Sequence, residues 1–209
     1  MVSKGQSRKS QVKRETRETK IVLAINLDDP TKISVSTGVG FFDHMLEALA
    51  THGRMGLDVD AKGDLHIDQH HVVEDVGIAL GTAFRQALGE DLRIRRFAAA
   101  YAPLDEALAR AVVDISGRSY LHYGVEVSRP LIGDFQSDLV EEFFRAFVTN
   151  ASLNLHLDLV RGKNAHHEVE AVFKATALAL REAVRREESL DGVLSTKGTL
   201  SEEEATRGS

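Results

Sequence analysis

Two stretches carry the same three side chains at the same spacing: His70-His71 with Glu74, and His166-His167 with Glu170. Imidazole and carboxylate donors without a thiolate suit Mn, Fe, Zn or Ni. On a helix, residues three and four apart share a face, whereas adjacent side chains diverge by about a hundred degrees. Glu74 therefore neighbours both His70 and His71, yet the two rings must point apart. One pair cannot wrap both imidazoles around a single ion, so the spacing calls for two metals, each taking one histidine from a pair. Asp68 and Asn164 stand two residues before the pairs and read as N-caps, placing the ligands in the first helical turn. The positive end of the helix dipole disfavours a protonated ring there and keeps it free for metal. A lone histidine on an amphipathic helix is usually a surface or satisfied core residue. The same pair with its acid, occurring twice in a repeated frame, is not explained that way.

The frame itself is legible. His70 to Leu88 overlays His166 to Val184 without a gap, and Asp43-His44 falls opposite Glu141-Glu142 with a two-residue slip. Further back, Glu18 and the strand after it match Glu106 and the strand ending at Ile115. The period is nearly half the chain, which indicates duplication rather than a solenoid. Apolar alternation predicts strands over Ile21–Ile25, Ile33–Val35, Leu57–Val59, Leu65–Ile67, Ala111–Ile115, Tyr120–Val127 and Leu153–Val160. Helical spacing predicts Asp43–Thr51 capped by Gly53, then Val72–Leu88 stopped by Gly89, Leu139–Val148 and Val169–Val184. The expected fold is α+β and internally duplicated: two similar half-domains, 13–95 and 96–200, each with a mixed sheet packed on helices. Residues 1–12 and 201–209 read as flexible ends.

Bulk properties narrow the function. The 209 residues are 43% hydrophobic and 28% charged, ordinary values for a globular protein. A net charge of -6 argues against nucleic acid as a partner. The absence of cysteine excludes disulfides, thiolate metal sites and a cysteine nucleophile. No apolar run is long enough for a membrane span, and Met1–Ser10 lacks a signal-peptide core, so a cytoplasmic protein is expected.

Several motifs resemble the imidazoleglycerol-phosphate dehydratase family in its monofunctional form. They are Phe42-Asp43-His44-Met45-Leu46, the run from Asp64 to Asp75, Ala102-Pro103-Leu104-Asp105-Glu106-Ala107, Asp114-Ile115-Ser116-Gly117-Arg118, His166-His167-Glu168-Val169-Glu170 and Ser195-Thr196-Lys197-Gly198. The resemblance runs from about Lys13 to Leu200. It implies a lyase that dehydrates D-erythro-imidazole glycerol phosphate to imidazole acetol phosphate in histidine biosynthesis. It also implies two Mn2+ ions per active site and a homo-oligomer of 24 subunits with sites at subunit interfaces. Carried over by position, the metal ligands are His44, His70, His71, Glu74, Glu142, His166, His167 and Glu170; many members carry histidine where Glu142 stands. Substrate-binding positions are Glu18, His44, His52, His70, Glu74, Arg96, Arg118, His166, Lys174, Ser195, Thr196 and Lys197. Glu18, Glu74 and Glu170 are the catalytic acids, with Glu18 as the base.

The reaction suits these groups. The broken carbon–hydrogen bond has no neighbouring carbonyl, so the ring must be activated as an imidazolate that expels the hydroxyl through a diazafulvene-like stage. Two other classes share the ligand types. A dinuclear metallohydrolase would activate water on a phosphate ester, but its Asp-rich motifs are missing. A metal store or sensor built as a carboxylate-bridged helical bundle would be all-helical, whereas seven segments here read as strands.

Overall fold

The computed structural model describes residues 7–90, 93–187, 189, 192, 194 and 195. The first half runs β1 (Lys9–Glu15), β2 (Thr19–Asn26), β3 (Ile33–Ser36), α1 (Gly40–Gly53), β4 (Gly56–Gly63) and α2 (His70–Leu88). The second runs β5 (Phe97–Leu104), β6 (Ala107–Asp114), β7 (Tyr120–Gly124), a small hairpin β8 (Leu131–Ile132) and β9 (Phe135–Gln136), α3 (Leu139–Ala151), β10 (Asn154–Arg161) and α4 (Ala165–Ala183). The sheet orders are β1-β2-β4-β3 and β5-β6-β10-β7. In each, the first three strands of that order pair antiparallel, and the fourth joins in parallel. Apart from the inserted hairpin the halves are copies of one β-β-β-α-β-α unit, the duplicated α+β arrangement expected.

Period-two burial drives the sheets. Ile21, Leu23 and Ile25 of β2 and Ala107, Ala109, Ala111 and Val113 of β6 face the helices and are almost fully buried. The helices do not stay with their own half. α1 packs on α4 and α2 packs on α3, while α2 also covers β1 and β2 and α4 covers β5 and β6. Gly77 and Gly81 let α2 approach α3 at backbone distance. A Cβ at Gly77 would lie 2.7 Å from the Phe143 carbonyl, and one at Gly81 would meet the Phe147 carbonyl and come within 2.9 Å of the Ala151 amide nitrogen. Neither obstacle is a side chain that can swing away. Gly81→Ala is therefore expected to destabilise the fold by about 1–3 kcal/mol despite its better helix propensity. A lower urea midpoint at unchanged slope would show it, and an unchanged midpoint would refute the close approach.

Several boundaries differ from the expectations. Lys9–Val12, expected within a flexible end, form part of β1, held against β2 in register from Lys9↔Asn26. Leu65–Ile67 form a turn, not a strand; both apolar side chains point outward, with Ile67 63% exposed. β5 is absent from the expected strands because Phe-Ala-Ala-Ala offers no contrast between its faces. α1 is capped not by Gly53 but by Arg54 at φ 50°, and α3 ends the same way on Ser152 at φ 55°. Gly89, at φ 65°, does stop α2. The outer sheet faces have diverged: the first presents Lys13, Lys20, Asp60 and Lys62, whereas the second exposes Phe97, Tyr101 and Tyr120.

Candidate metal centre and active site

The pairing of α1 with α4 creates the densest ligand group. His44 from α1 meets His166 and Glu170 from α4, with one donor atom of each within 4.8 Å of the others. Glu170 Oε2 lies 3.3 Å from His44 Nε2 and 3.1 Å from His166 Nε2. Lys174, one turn further along α4, holds the other oxygen at 2.5 Å. Burial alone would raise the Glu170 carboxyl, but the hydrogen bond and charge of Lys174, with the bonds from His44 and His166, bring it below its ordinary value. Two imidazoles and one carboxylate oxygen converging in this way suit a divalent cation such as Mn2+. The rings stay partly open, His44 at 47% and His166 at 43% exposure, so a fourth ligand has access. Phe41 meets the His166 ring edge-on with centroids 5.1 Å apart. His52 lies two turns beyond His44; burial first, and then the Lys174 ammonium, lower its pKa.

α2 and α3 carry the corresponding residues of the other half. His70 Nε2 stands 3.9 Å from Glu74 across one helical turn. The matching αL caps Arg54 and Ser152 fix an offset of 98 (152 − 54), which places Glu142 where α1 has His44. Among the described residues only the His44 trio brings three ligand atoms together.

The second histidine of each pair turns away, as helical geometry requires: the His70 and His71 rings stand at 87°, and the His166 and His167 rings at 82°. His71 donates from Nδ1 to Asp64, 3.1 Å from either carboxylate oxygen. His167 donates from Nδ1 to Glu106 at 2.9 Å. These bonds raise both histidines above the usual imidazole value. The same bond from His167, with backbone N–H groups, lowers Glu106 to about 2. Sequence spacing assigns no role to Asp64 or Glu106; the one signal for Glu106 is its place opposite Glu18 in the repeat. The capping expectation holds at Asn164, whose side chain accepts from His166 N at 3.0 Å. Asp68 accepts from His70 N at 2.8 Å, although Gln69 occupies the cap position itself. Glu18 sits in the β1–β2 turn with Oε1 3.8 Å from His71 Nε2.

The remaining expected residues lie elsewhere. Arg96 stands at φ 69° before β5, paired with Asp114 at 2.7 Å, and its backbone N–H donates to the Ala183 carbonyl at the end of α4. Ala165–Ala183 is 19 residues, a rise of about 27 Å from end to end. Ser195 is close by in sequence to Leu194, whose carbonyl accepts from Arg96. Arg118 is in the loop after β6, where Ser116 links it to Asn154 at the start of β10. Arg96 and Arg118 thus stand at the far end of the sheet from the expected metal ligands of the same half. Thr196 and Lys197 fall outside the described residues. No helix among the described residues is long and apolar enough to cross a membrane.

Comparison with known proteins accounts for the arrangement. The imidazoleglycerol-phosphate dehydratase family model matches residues 37–180. The protein of that name from Aminomonas aminovorus is 57% identical over 194 residues, 92% of this chain and 100% of that protein. The one from Streptococcus mutans is 54% identical over 193 residues, again 92% and 100%. The crystal structure of the Staphylococcus aureus dehydratase superposes with a TM-score of 0.79 at 42% identity, over 86% of this chain and 99% of that one. With the repeated ligand helices in place and relatives matched along almost their whole length, the chain belongs to the imidazoleglycerol-phosphate dehydratase family, lyases of histidine biosynthesis.

Proposed function

We propose that the chain dehydrates D-erythro-imidazole glycerol phosphate to imidazole acetol phosphate with two Mn2+ ions per active site, in sites completed between copies of the chain. The observation that carries the metal reading is the His44–His166–Glu170 trio, assembled from opposite halves of the duplication. Metal bound by these residues would supply positive charge against the substrate's ring nitrogen, favouring the imidazolate and diazafulvene-like stages of water loss. The chain's own residues do the rest. Lys174 holds Glu170 so that Oε2 faces the histidines. Glu74 is the matching acid beside His70. Glu18, on a turn beside His71 Nε2, is the proposed base for the carbon-bound proton. Arg96 and Arg118, with Ser195, Thr196 and Lys197, are the proposed phosphate grip.

Three features support a homo-oligomer, for which 24 subunits is the proposed size. His166 and Glu170 lie about 26 and 20 Å along α4 from Ala183, where Arg96 docks, further than one small substrate spans. His71 and His167 face away from the ligands beside them in sequence. Apolar side chains stand exposed around the site, Ile67 at 63% and Leu131 at 53%. The cytoplasm is the proposed compartment, consistent with a chain free of cysteine.

The experiment is dehydration of imidazole glycerol phosphate by chelator-stripped protein, with and without added Mn2+, alongside size-exclusion chromatography of both samples. Turnover and a larger assembly are expected on adding Mn2+. A folded, Mn2+-loaded sample without turnover would overturn the reading, and release of inorganic phosphate would favour a hydrolase.

A further inference from the structure

The two halves solve the same problem with different residues. In the second half, Glu106 sits in the two-residue turn enclosed by the pair Leu104↔Ala107. One of its oxygens accepts from His167 Nδ1 at 2.9 Å, and the other accepts from the backbone N–H groups of Lys163 and Asn164 at 3.3 and 2.9 Å. Its repeat partner is Glu18, one residue before β2 as Glu106 is one residue before β6. Glu18 does not make the matching bond. Its carboxylate stands on the Nε2 side of His71 at 3.8 Å and is 53% exposed. The Nδ1 side is taken by Asp64, only 14% exposed. Asp64 follows β4 directly; the offset between β4 and β10 is 98 (154 − 56), so its counterpart in the second half is Gly162. Each half has one carboxylate on Nδ1 of its outward histidine, drawn from a different place in the repeat.

We propose that Asp64 and Glu106 are positioning residues that fix the Nδ1–H tautomers of His71 and His167, and that Asp64, by taking this place in the first half, leaves Glu18 free for the reaction. The inference rests on the metal reading above. A histidine that donates from Nδ1 presents its Nε2 lone pair outward, with the ring angle already set. Both bonds reach along the chain rather than up a helix: Asp64 is seven residues before His71, and Glu106 is 61 before His167. They hold the rings against the sheet ends instead of against neighbouring turns. Both oxygens of Glu106 are engaged as acceptors. An amide there keeps one acceptor oxygen and must fail either His167 or the two backbone N–H groups.

The test is Mn2+ titration of chelator-stripped protein, followed by the electron paramagnetic resonance signal of free Mn2+, with metal-free melting temperatures measured in parallel. Glu106→Gln and Asp64→Asn are expected to weaken Mn2+ binding about 10- to 100-fold. Glu18→Gln is expected to leave it within about twofold, since Glu18 has no part in holding the ring. Should Glu106→Gln fail to fold, Asp64→Asn carries the test alone. Wild-type protein that binds no Mn2+ would remove the metal reading and this inference together. Wild-type binding with unchanged affinity in both variants would overturn the positioning role and leave the metal reading standing. A lowered metal-free melting temperature with unchanged affinity would make the two carboxylates merely structural, and affinity loss in Glu18→Gln equal to that in Asp64→Asn would overturn the division of labour.

Discussion

Glu170→Gln is expected to lower turnover about a thousandfold and to abolish one of the two proposed metal sites. Glu170 supplies the only negative charge in its trio, and one of its oxygens serves both His44 and His166. The amide is a weaker donor and carries no charge to offset a divalent ion. It also leaves a single acceptor oxygen to serve either the metal position or Lys174, whose side chain is 18% exposed and bonds the carboxylate at 2.5 Å. Either way Lys174 becomes a partly buried cation without a counter-charge beside the metal position, which opposes binding a second time. Metal content per chain and kcat measured on the same sample check both effects. Full turnover with two Mn2+ retained would show that the trio is not a catalytic metal centre.

Glu18→Gln is expected to lose about 10²- to 10⁴-fold in kcat while metal content stays at the wild-type level. The carboxylate stands 3.8 Å from the nitrogen that His71 turns outward, and it is 53% exposed. It is therefore close to where substrate would meet His71, yet not spent on structure. Thr16 caps the turn by accepting from the Glu18 backbone N–H at 3.1 Å, so the backbone is fixed without help from the side chain. Glutamine preserves shape and removes the capacity to take a proton. Wild-type turnover in this variant would end the proposed role; a loss of metal instead would mark Glu18 as a ligand.

Much of this architecture was legible because it is local. Four helices and the repeat follow from periodicities that sequence carries directly, and the i,i+4 geometry of His70–Glu74 and His166–Glu170 required nothing else. His44 is different. Its place beside Glu170 depends on a contact 126 residues away, and only family resemblance singled it out. Asp64 and Glu106 lay further out of reach, since no spacing rule connects a turn between strands to a histidine on a distant helix. Leu65 and Ile67 misled for a physical reason. Alternation marks a strand only when one face is buried, and here both side chains face solvent at the rim of the site. β5 failed in the opposite direction, because small alanines can line either face.

The crossed packing of the helices also bears on how such a site can arise. Because α1 pairs with α4 and α2 with α3, a single half-length unit would carry His44 and the His70 pair on helices that do not face each other. Two copies of such a unit, related by a two-fold axis, would build the trio twice, each copy lending a helix to its neighbour. Joining the copies in one chain replaces a concentration-dependent encounter with an intramolecular one. It also ends the obligation of symmetry. Once fused, the two versions of each position are free to carry different residues. Histidine at 44 against glutamate at 142, and a free Glu18 against a committed Glu106, are what that freedom looks like in a folded protein.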